Sequence, residues 1–378
     1  MECAPGGIPA LGVETRGPGM VVVVQERATP EERAEMLRLL ASIHAGAVPA
    51  PVRTVIGEVI CLPDATISEE LARRLAALPA VARVIPINTP YHLASRVLFP
   101  TTTRVRVGQA IFGGGDPIII AGPCSVEGEE PILEAARAAR DAGAQLLRGG
   151  AFKPRTSPYS FQGLGLAGVE LLARAGAATG LPIVTEVMEP ALVPQVAALA
   201  DVLQVGSRNM QNYPLLRAVG AAGRPVLLKR GFAATLDEWL LAAEYILAAG
   251  NPNVLLCERG VRGFDPQTRN LLDLSCVPLL RQLTHLPILV DPSHATGRRD
   301  LVAPMGIAAI AAGADGLLVE MHPRPDDALS DGHQTIDPAA LRQLIRRGRA
   351  VRAALTSEDP SPDAGPASAK ELVGGAYL

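Results

Sequence analysis

Lysine is nearly missing from this chain. Of 35 basic residues only three, Lys153, Lys229 and Lys370, are lysine, and the rest are arginine. Where either cation would serve, the sequence uses arginine, so each lysine calls for its own explanation. Net charge is also small: a formal −3 gives no global attraction to nucleic acid or an anionic membrane. No uninterrupted apolar run approaches the roughly 18–20 residues of a membrane span. The N-terminus lacks the basic region and apolar core of a signal peptide. The five cysteines, an odd number scattered from Cys3 to Cys276, make no disulfide framework, and a reducing cytoplasm is the expected location. What is present, 48% hydrophobic and 19% charged residues over 378 positions, suits a soluble globular enzyme of about two domains.

Residues 1–19 are rich in Gly and Pro, aperiodic, and expected to be a disordered leader. Met20 directly precedes an apolar strand and is a candidate initiator. From about Thr356 the chain turns to Pro, Ala and Ser, which predicts a flexible tail over 356–378. Between them, residues 20–90 alternate strand and helix. Strands are expected over 20–25, 52–61 and 81–87. Thr29-Pro30-Glu31-Glu32 supplies an N-cap, a first-turn proline and a capping-box glutamate for a helix running to about His44. Ser68 caps a second helix that ends near Leu78-Pro79. Two helices on one antiparallel sheet define a small ferredoxin-like (ACT-like) α+β domain.

After a linker over 91–103, the stretch 104–355 changes rhythm. Eight short apolar runs are expected as strands: 118–121, 145–148, 183–187, 202–205, 226–229, 254–258, 288–291 and 316–320. Amphipathic helices separate them, including 131–142, 167–179, 236–249 and 270–283. The preceding VRVGQAIFGGG predicts a hairpin plugging a barrel floor, with Gly113-Gly114-Gly115 as a turn rather than a phosphate loop. Eight βα units in about 250 residues define a (β/α)8 TIM barrel. No GxGxxG opens the first unit, as a doubly wound sheet would favour.

In such a barrel the active site lies at the C-terminal strand ends, and here every strand delivers a polar or ionisable group at that end. Cys124, His294 and Glu320 follow strands one, seven and eight, which become neighbours when the barrel closes. Asp331 in the next loop is a plausible fourth ligand. Mixed S, N and O donors suit Mn, Fe, Co or Zn. His322 and His333 stand nearby as rival ligands, while Cys61, Cys257 and Cys276 read as buried apolar residues. Arg148, Lys153, Arg155, Arg208, Lys229 and Arg259 all fall in strand-end loops. Six cations exceed the need of one carboxylate and suggest two phosphorylated substrates.

The stretches IIIAGPCSVE, LLRGGAFKPRTSPYSFQGLG, LQVGSRNMQN, LLKRG, CERG, VDPSHATG and VEMHP resemble 3-deoxy-D-arabino-heptulosonate 7-phosphate (DAHP) synthase of type I-β, over roughly residues 20–355. That family condenses phosphoenolpyruvate with erythrose 4-phosphate at the entry to the shikimate pathway. The resemblance implies Cys124, His294, Glu320 and Asp331 as metal ligands. It implies Arg148, Lys153, Arg208, Lys229 and Arg259 around phosphoenolpyruvate, with Glu186 bordering that pocket. Arg155 and Thr156 would hold the phosphate of erythrose 4-phosphate, and Lys153 is the candidate proton donor. A similar family, 3-deoxy-manno-octulosonate 8-phosphate synthase, uses arabinose 5-phosphate. It typically carries a Lys-Ala-Asn-Arg-Ser-Ser loop where this chain has Lys153-Pro154-Arg155-Thr156-Ser157. A non-catalytic phosphate-ligand sensor would keep the cations but needs no four-ligand metal site. The N-terminal part resembles the domain through which aromatic amino acids inhibit some relatives, and it is expected to close over the barrel mouth. AGAVPAPVRT, however, is short and Pro-rich where those relatives have a longer second strand. The family is commonly tetrameric.

Overall fold

The computed structural model describes residues 19–43, 48–63, 68–153, 159 and 161–357. The expected leader and tail lie outside these residues, except for Gly19 and the last two residues of the C-terminal helix. Arg155 and Thr156 also lie outside them.

The small N-terminal unit contains β1 (Gly19–Val24), α1 (Pro30–Ile43), β2 (Val52–Thr54), β3 (Gly57–Leu62), α2 (Glu69–Ala76) and β4 (Val81–Ile87). Its antiparallel sheet has the order β2-β3-β1-β4, which is the ferredoxin-like arrangement. Both expected caps are present. Thr29 and Glu32 exchange side-chain and backbone bonds at the start of α1, and Ser68 accepts from Leu71 N–H at the start of α2. One expectation is corrected: residues 52–61 are a hairpin rather than a single strand. Thr54 Oγ1 donates to the Gly57 carbonyl, and Gly57 takes φ +104°, a left-handed value only glycine adopts freely.

Strand periodicity divides the sheet's residues between two partners. Met20, Val22, Val24, Ile60 and Leu62 pack with Met36 and Leu40 of α1. Val21, Val23, Val59 and Ile87 face the other way and join the core around the barrel. The small unit therefore lies against the barrel's flank.

Eight parallel strands close the barrel: β7 (Ile118–Gly122), β8 (Leu146–Arg148), β9 (Ile183–Glu186), β10 (Val202–Val205), β11 (Val226–Lys229), β12 (Val254–Glu258), β13 (Ile288–Val290) and β14 (Gly316–Glu320). Helices α3 (Glu129–Ala142), α4 (Gly165–Thr179), α5 (Val193–Leu199), α6 (Tyr213–Ala221), α7 (Leu236–Ala248) and α8 (Cys276–Leu283) follow β7–β12. Beyond β13 come α9 (Pro292–Thr296) and α10 (Arg299–Ala311), and beyond β14 comes α11 (Pro338–Ser357). The hairpin of β5 (Val105–Val107) and β6 (Ala110–Phe112) plugs the floor. Its Val105, Val107, Ala110 and Phe112 share a core with Ile120, Leu146, Val184, Val202, Leu227, Leu255, Leu289 and Leu318. The helix expected from residue 270 begins only at Cys276, which places Pro278 in the first turn, where its missing N–H costs no hydrogen bond.

The linker is held at the floor end of the barrel. The Glu244 carboxylate on α7 accepts the backbone N–H groups of His92, Leu93 and Ala94 at 3.0, 2.7 and 2.8 Å. Buried His285 has Nε2 2.8 Å from the Leu93 carbonyl and Nδ1 2.6 Å from Thr103 Oγ1. A carbonyl only accepts, so Nε2 carries the proton and Nδ1 accepts from the Thr103 hydroxyl. Burial lowers the His285 pKa from 6.5 to about 4. Between those values the unfolded chain binds the extra proton, so stability is complete above pH 6.5 and is lost as pH falls towards 4. The expected loss is about 3 kcal/mol, given 1.36 kcal/mol per pKa unit. Urea unfolding across this range should show the slope in the wild type and a shallower one in His285→Gln.

Candidate active site

The inward register that fills the floor also builds the mouth. In a strand, residues two apart share a face. Two positions beyond the floor residues Leu146, Val184, Val202, Leu227, Leu289 and Leu318 stand Arg148, Glu186, Gln204, Lys229, Asp291 and Glu320. Two beyond Cys257 stands Arg259, and two beyond Gly122 stands Cys124. Arg148, Lys153, Glu186, Gln204, Arg208, Lys229, Arg259, Arg269, His294 and Asp331 line one cavity of roughly 320 Å³. All the expected site residues that are described either line this cavity or contact its lining.

At one side of the cavity, hydrogen-bond acceptors converge. Cys124 Sγ and oxygens of Glu320 and Asp331 lie within 4.8 Å of one another. Cys124 Sγ is 3.2 Å from Asp331 Oδ2, and His294 Nε2 is 3.2 Å from Glu320 Oε1. Asp291 explains how His294 is presented. It caps α9 by accepting His294 N–H at 2.9 Å, and its Oδ2 lies 2.6 Å from His294 Nδ1. Burial lowers the His294 pKa and so favours the neutral ring, which donates from Nδ1 and presents a lone pair at Nε2 towards Glu320 Oε1. That juxtaposition favours a cation between them, and the donor set fits a borderline divalent ion. His322 and His333 do not join the cluster: His322 Nδ1 sits 2.7 Å from the Arg324 carbonyl oxygen, and His333 is exposed.

The electrostatics follow from burial and pairing. Burial opposes charge on Glu320, but His294, Arg148 and Lys153 outweigh it and hold its carboxyl well below the usual range. Asp291 is likewise buried and held low by His294 and Lys229. Burial, then Glu320, pushes the Cys124 thiol up to about 12 against the opposing charge of Lys153. Lys153 Nζ donates to Cys124 Sγ and to the Cys124 carbonyl, both at 2.9 Å. Asp331 alone among the described non-glycine residues has positive φ, +53°, a costly backbone state that tends to cluster at functional sites.

The cations divide into two groups. Arg148 pairs with Glu320 at 2.9 Å, and Lys229 with Asp291 at 2.6 Å. Arg208 and Arg259 have no carboxylate partner among the described residues and lie against the Phe232 ring at 5.4 and 4.7 Å. Two guanidinium groups sharing one ring, with no salt-bridge partner among the described residues, make a site suited to an anion. Glu186 takes a bond from Gln204 Nε2 at 3.0 Å on one oxygen. Its other oxygen and Ser207 Oγ are buried without a partner among the described residues, beside the cavity. Gly206 leaves room for this carboxylate, since a Cβ there would stand 2.2 Å from Glu186 Oε1 and displace it.

The sequence reading missed Asp291 as the orienting partner of His294 and Lys229. It also missed Gln204, Phe232 and Gln334, the last of which donates to Glu320 Oε2 at 2.5 Å. Asp291 and Gln204 could have been found from the inward strand register. Phe232 sits in a loop and Gln334 in the short 3-10 helix Gly332–Gln334, without such a signal.

Fold and site together define a (β/α)8-barrel enzyme whose mouth combines a metal-competent acceptor cluster with unpaired guanidinium groups. Residues 95–356 match the DAHP synthetase I family, and the chain belongs to that family. It is 46% identical over 338 residues to the phospho-2-dehydro-3-deoxyheptonate aldolase of Thermotoga maritima, covering 89% of this chain and 98% of that protein. A crystal structure of the Thermotoga maritima DAHP synthase superposes with a TM-score of 0.70 at 44% identity, covering 89% of this chain and 98% of that one. The 2-dehydro-3-deoxyphosphooctonate aldolase of Nitrobacter hamburgensis is 35% identical over 277 residues, covering 68% of this chain and 96% of that protein. Among the described residues no helix is long and apolar enough to cross a membrane.

Proposed function

We propose that this enzyme is a 3-deoxy-7-phosphoheptulonate synthase, joining phosphoenolpyruvate to erythrose 4-phosphate with release of DAHP and inorganic phosphate. The observation that carries this reading is that Arg208, Arg259, Lys153, His294 and Asp331 line one cavity, with Cys124 and Glu320 in contact with that lining. The greater identity to the heptonate enzyme than to the octonate enzyme supports the four-carbon aldehyde. So does the Lys153-Pro154-Arg155-Thr156-Ser157 segment, in which Arg155 and Thr156 are assigned to the aldehyde substrate's phosphate. Phosphate release with erythrose 4-phosphate and with arabinose 5-phosphate tests this directly. A preference for the five-carbon sugar would transfer the chain to the octonate reaction.

A divalent ion held by Cys124, His294, Glu320 and Asp331 would supply Lewis acidity towards the aldehyde carbonyl. The remaining work falls to the chain's own groups. Arg208 and Arg259, with Lys229 and Arg148 behind them, bind the carboxylate and phosphate of phosphoenolpyruvate. They offset its repulsion from the second anionic substrate and hold the two in attack geometry. C3 of phosphoenolpyruvate then bonds to the aldehyde carbon, and Lys153 gives a proton to the oxygen that becomes an alkoxide. Water adds at C2, and phosphate leaves by cleavage of the C2–O bond. The unpartnered Glu186 oxygen is an acceptor suited to orient that water.

The ion is assigned as Mn, Fe, Co or Zn, the enzyme as cytoplasmic, and its assembly as a homotetramer. Residues 20–90 are assigned a regulatory role with tyrosine or phenylalanine as effector. No described residue from 19 to 90 lines the cavity, so this unit serves control or assembly rather than chemistry. Closure over the mouth would require it to leave the flank where Val21, Val23 and Val59 are buried, or to act on another subunit. A truncation should begin at Pro90 rather than near Leu98, because Leu93 and Ala94 satisfy Glu244 and His285. Such a chain should retain turnover and lose aromatic inhibition, typically about 5–150-fold in effect. Full inhibition of the truncated chain would put the effector site on the barrel.

A further inference from the structure

A second group of metal-ligating side chains lies where the small sheet meets the barrel, far from the mouth. Cys61 on β3 pairs with Val21, whose side chain faces the barrel. His92 belongs to the linker and Glu244 to α7. One ligand atom from each of the three side chains comes within 4.8 Å of the other two.

The local charge balance favours a cation. Glu244 is a half-buried carboxylate, and no Lys or Arg ion-pairs with it among the described residues. Burial raises its pKa, with only the three backbone N–H bonds opposing. Those three N–H bonds use three of the roughly four lone-pair directions of a carboxylate. Ala94 N–H donates to Oε2, while His92 and Leu93 N–H donate to Oε1. Gly19 is also shaped by this group: a Cβ there would stand 2.5 Å from His92 Nε2 and 2.9 Å from the Leu62 carbonyl oxygen. The missing side chain leaves room for the imidazole.

We propose that Cys61, His92 and Glu244 form a second metal site, for a zinc-type divalent ion, that staples the small sheet and the linker to α7. Thiolate, imidazole and carboxylate, with water in a fourth position, satisfy a tetrahedral borderline ion. Binding replaces the proton on Cys61 Sγ, which passes to solvent, so affinity rises with pH. The three ligands meet only when the small unit is docked, and the ion therefore stabilises the docked arrangement by mass action. Cys61 reads from sequence as a buried apolar residue because its partners lie 31 and 183 positions away.

The test uses the full chain, stripped by a chelator and titrated with Co2+. Bound metal is counted per chain after desalting, and thiolate-to-cobalt charge transfer is followed in the near ultraviolet. The expected result is two equivalents in the wild type. One should be lost in Cys61→Ser and in His92→Gln, and the other in Cys124→Ala. The equivalent lost with Cys61→Ser carries the proposal whether or not the Cys124 group takes up the ion. A wild-type count of one that disappears with Cys124→Ala overturns the proposal without requiring any Cys61 variant to fold. So does a count that Cys61→Ser leaves unchanged.

Discussion

Lys153→Ala is expected to lower turnover by roughly 10²–10⁴-fold, the range for removing a positioned proton donor, while the Michaelis constant for phosphoenolpyruvate changes far less. The expectation rests on where Nζ sits. It is buried, 2.9 Å from Cys124 Sγ and 2.9 Å from the Cys124 carbonyl, between the acceptor cluster and the unpaired guanidinium groups. In the proposed reading Arg208, Arg259, Arg148 and Lys229 bind phosphoenolpyruvate, so one lost ammonium should weaken its ground state only modestly. The proton for the new alkoxide has no comparable substitute. Steady-state phosphate release across both substrate concentrations separates the two effects. Near-normal turnover with only a raised Michaelis constant would make Lys153 a binding group and nothing more.

Removal of the divalent ion should abolish turnover, and Mn, Co or Zn should restore it. Cys124→Ala should reproduce most of that loss in a folded chain. Cys124 lies at the end of β7, one residue beyond Pro123, and the core beneath it is supplied by Ile118 and Ile120. Its loss leaves His294, Glu320 and Asp331 with no thiolate. Metal affinity should therefore fall by more than the roughly 10–100-fold typical of losing an outer partner. Metal content by mass spectrometry and far-UV circular dichroism distinguish the outcomes. If folded protein is lost in step with metal, Cys124 is a core residue. Turnover by a demonstrably metal-free wild type would remove the ion from the reaction.

Asp291→Asn offers a subtler check on the same centre. Asn keeps the cap on α9 but removes the charge shared by Lys229 and His294. Metal affinity should drop by roughly 10–100-fold, with less effect on phosphate binding. An unchanged affinity would show that His294 is oriented by α9 alone.

The eight barrel strands were legible because each is a short run of apolar residues buried on both faces, bounded by turns and amphipathic helices. Their inward register was legible as well, though it was not followed as far as Asp291 or Gln204. Two elements were misread for local reasons. Val55 and Ile56 are β-branched and apolar, so the turn between β2 and β3 is hidden inside a strand-like composition. In 270–283 the apolar spacing imitates a helix, and Pro278 was the overlooked signal that it starts only at Cys276.

By itself the sequence determined that cations and donor-bearing residues accumulate at one end of a closed parallel barrel, because strand period and βα order leave them nowhere else to go. The tertiary structure alone decided which of them are already neutralised and which remain available. Arg148 and Lys229 are matched by Glu320 and Asp291, whereas Arg208 and Arg259 share Phe232 without a salt-bridge partner among the described residues. It also decided that Nε2 of His294 lies 3.2 Å from a Glu320 carboxylate oxygen. These outcomes depend on distances between groups tens to hundreds of residues apart. Coulomb and hydrogen-bond energies change over a few ångströms, a scale that chain spacing does not set.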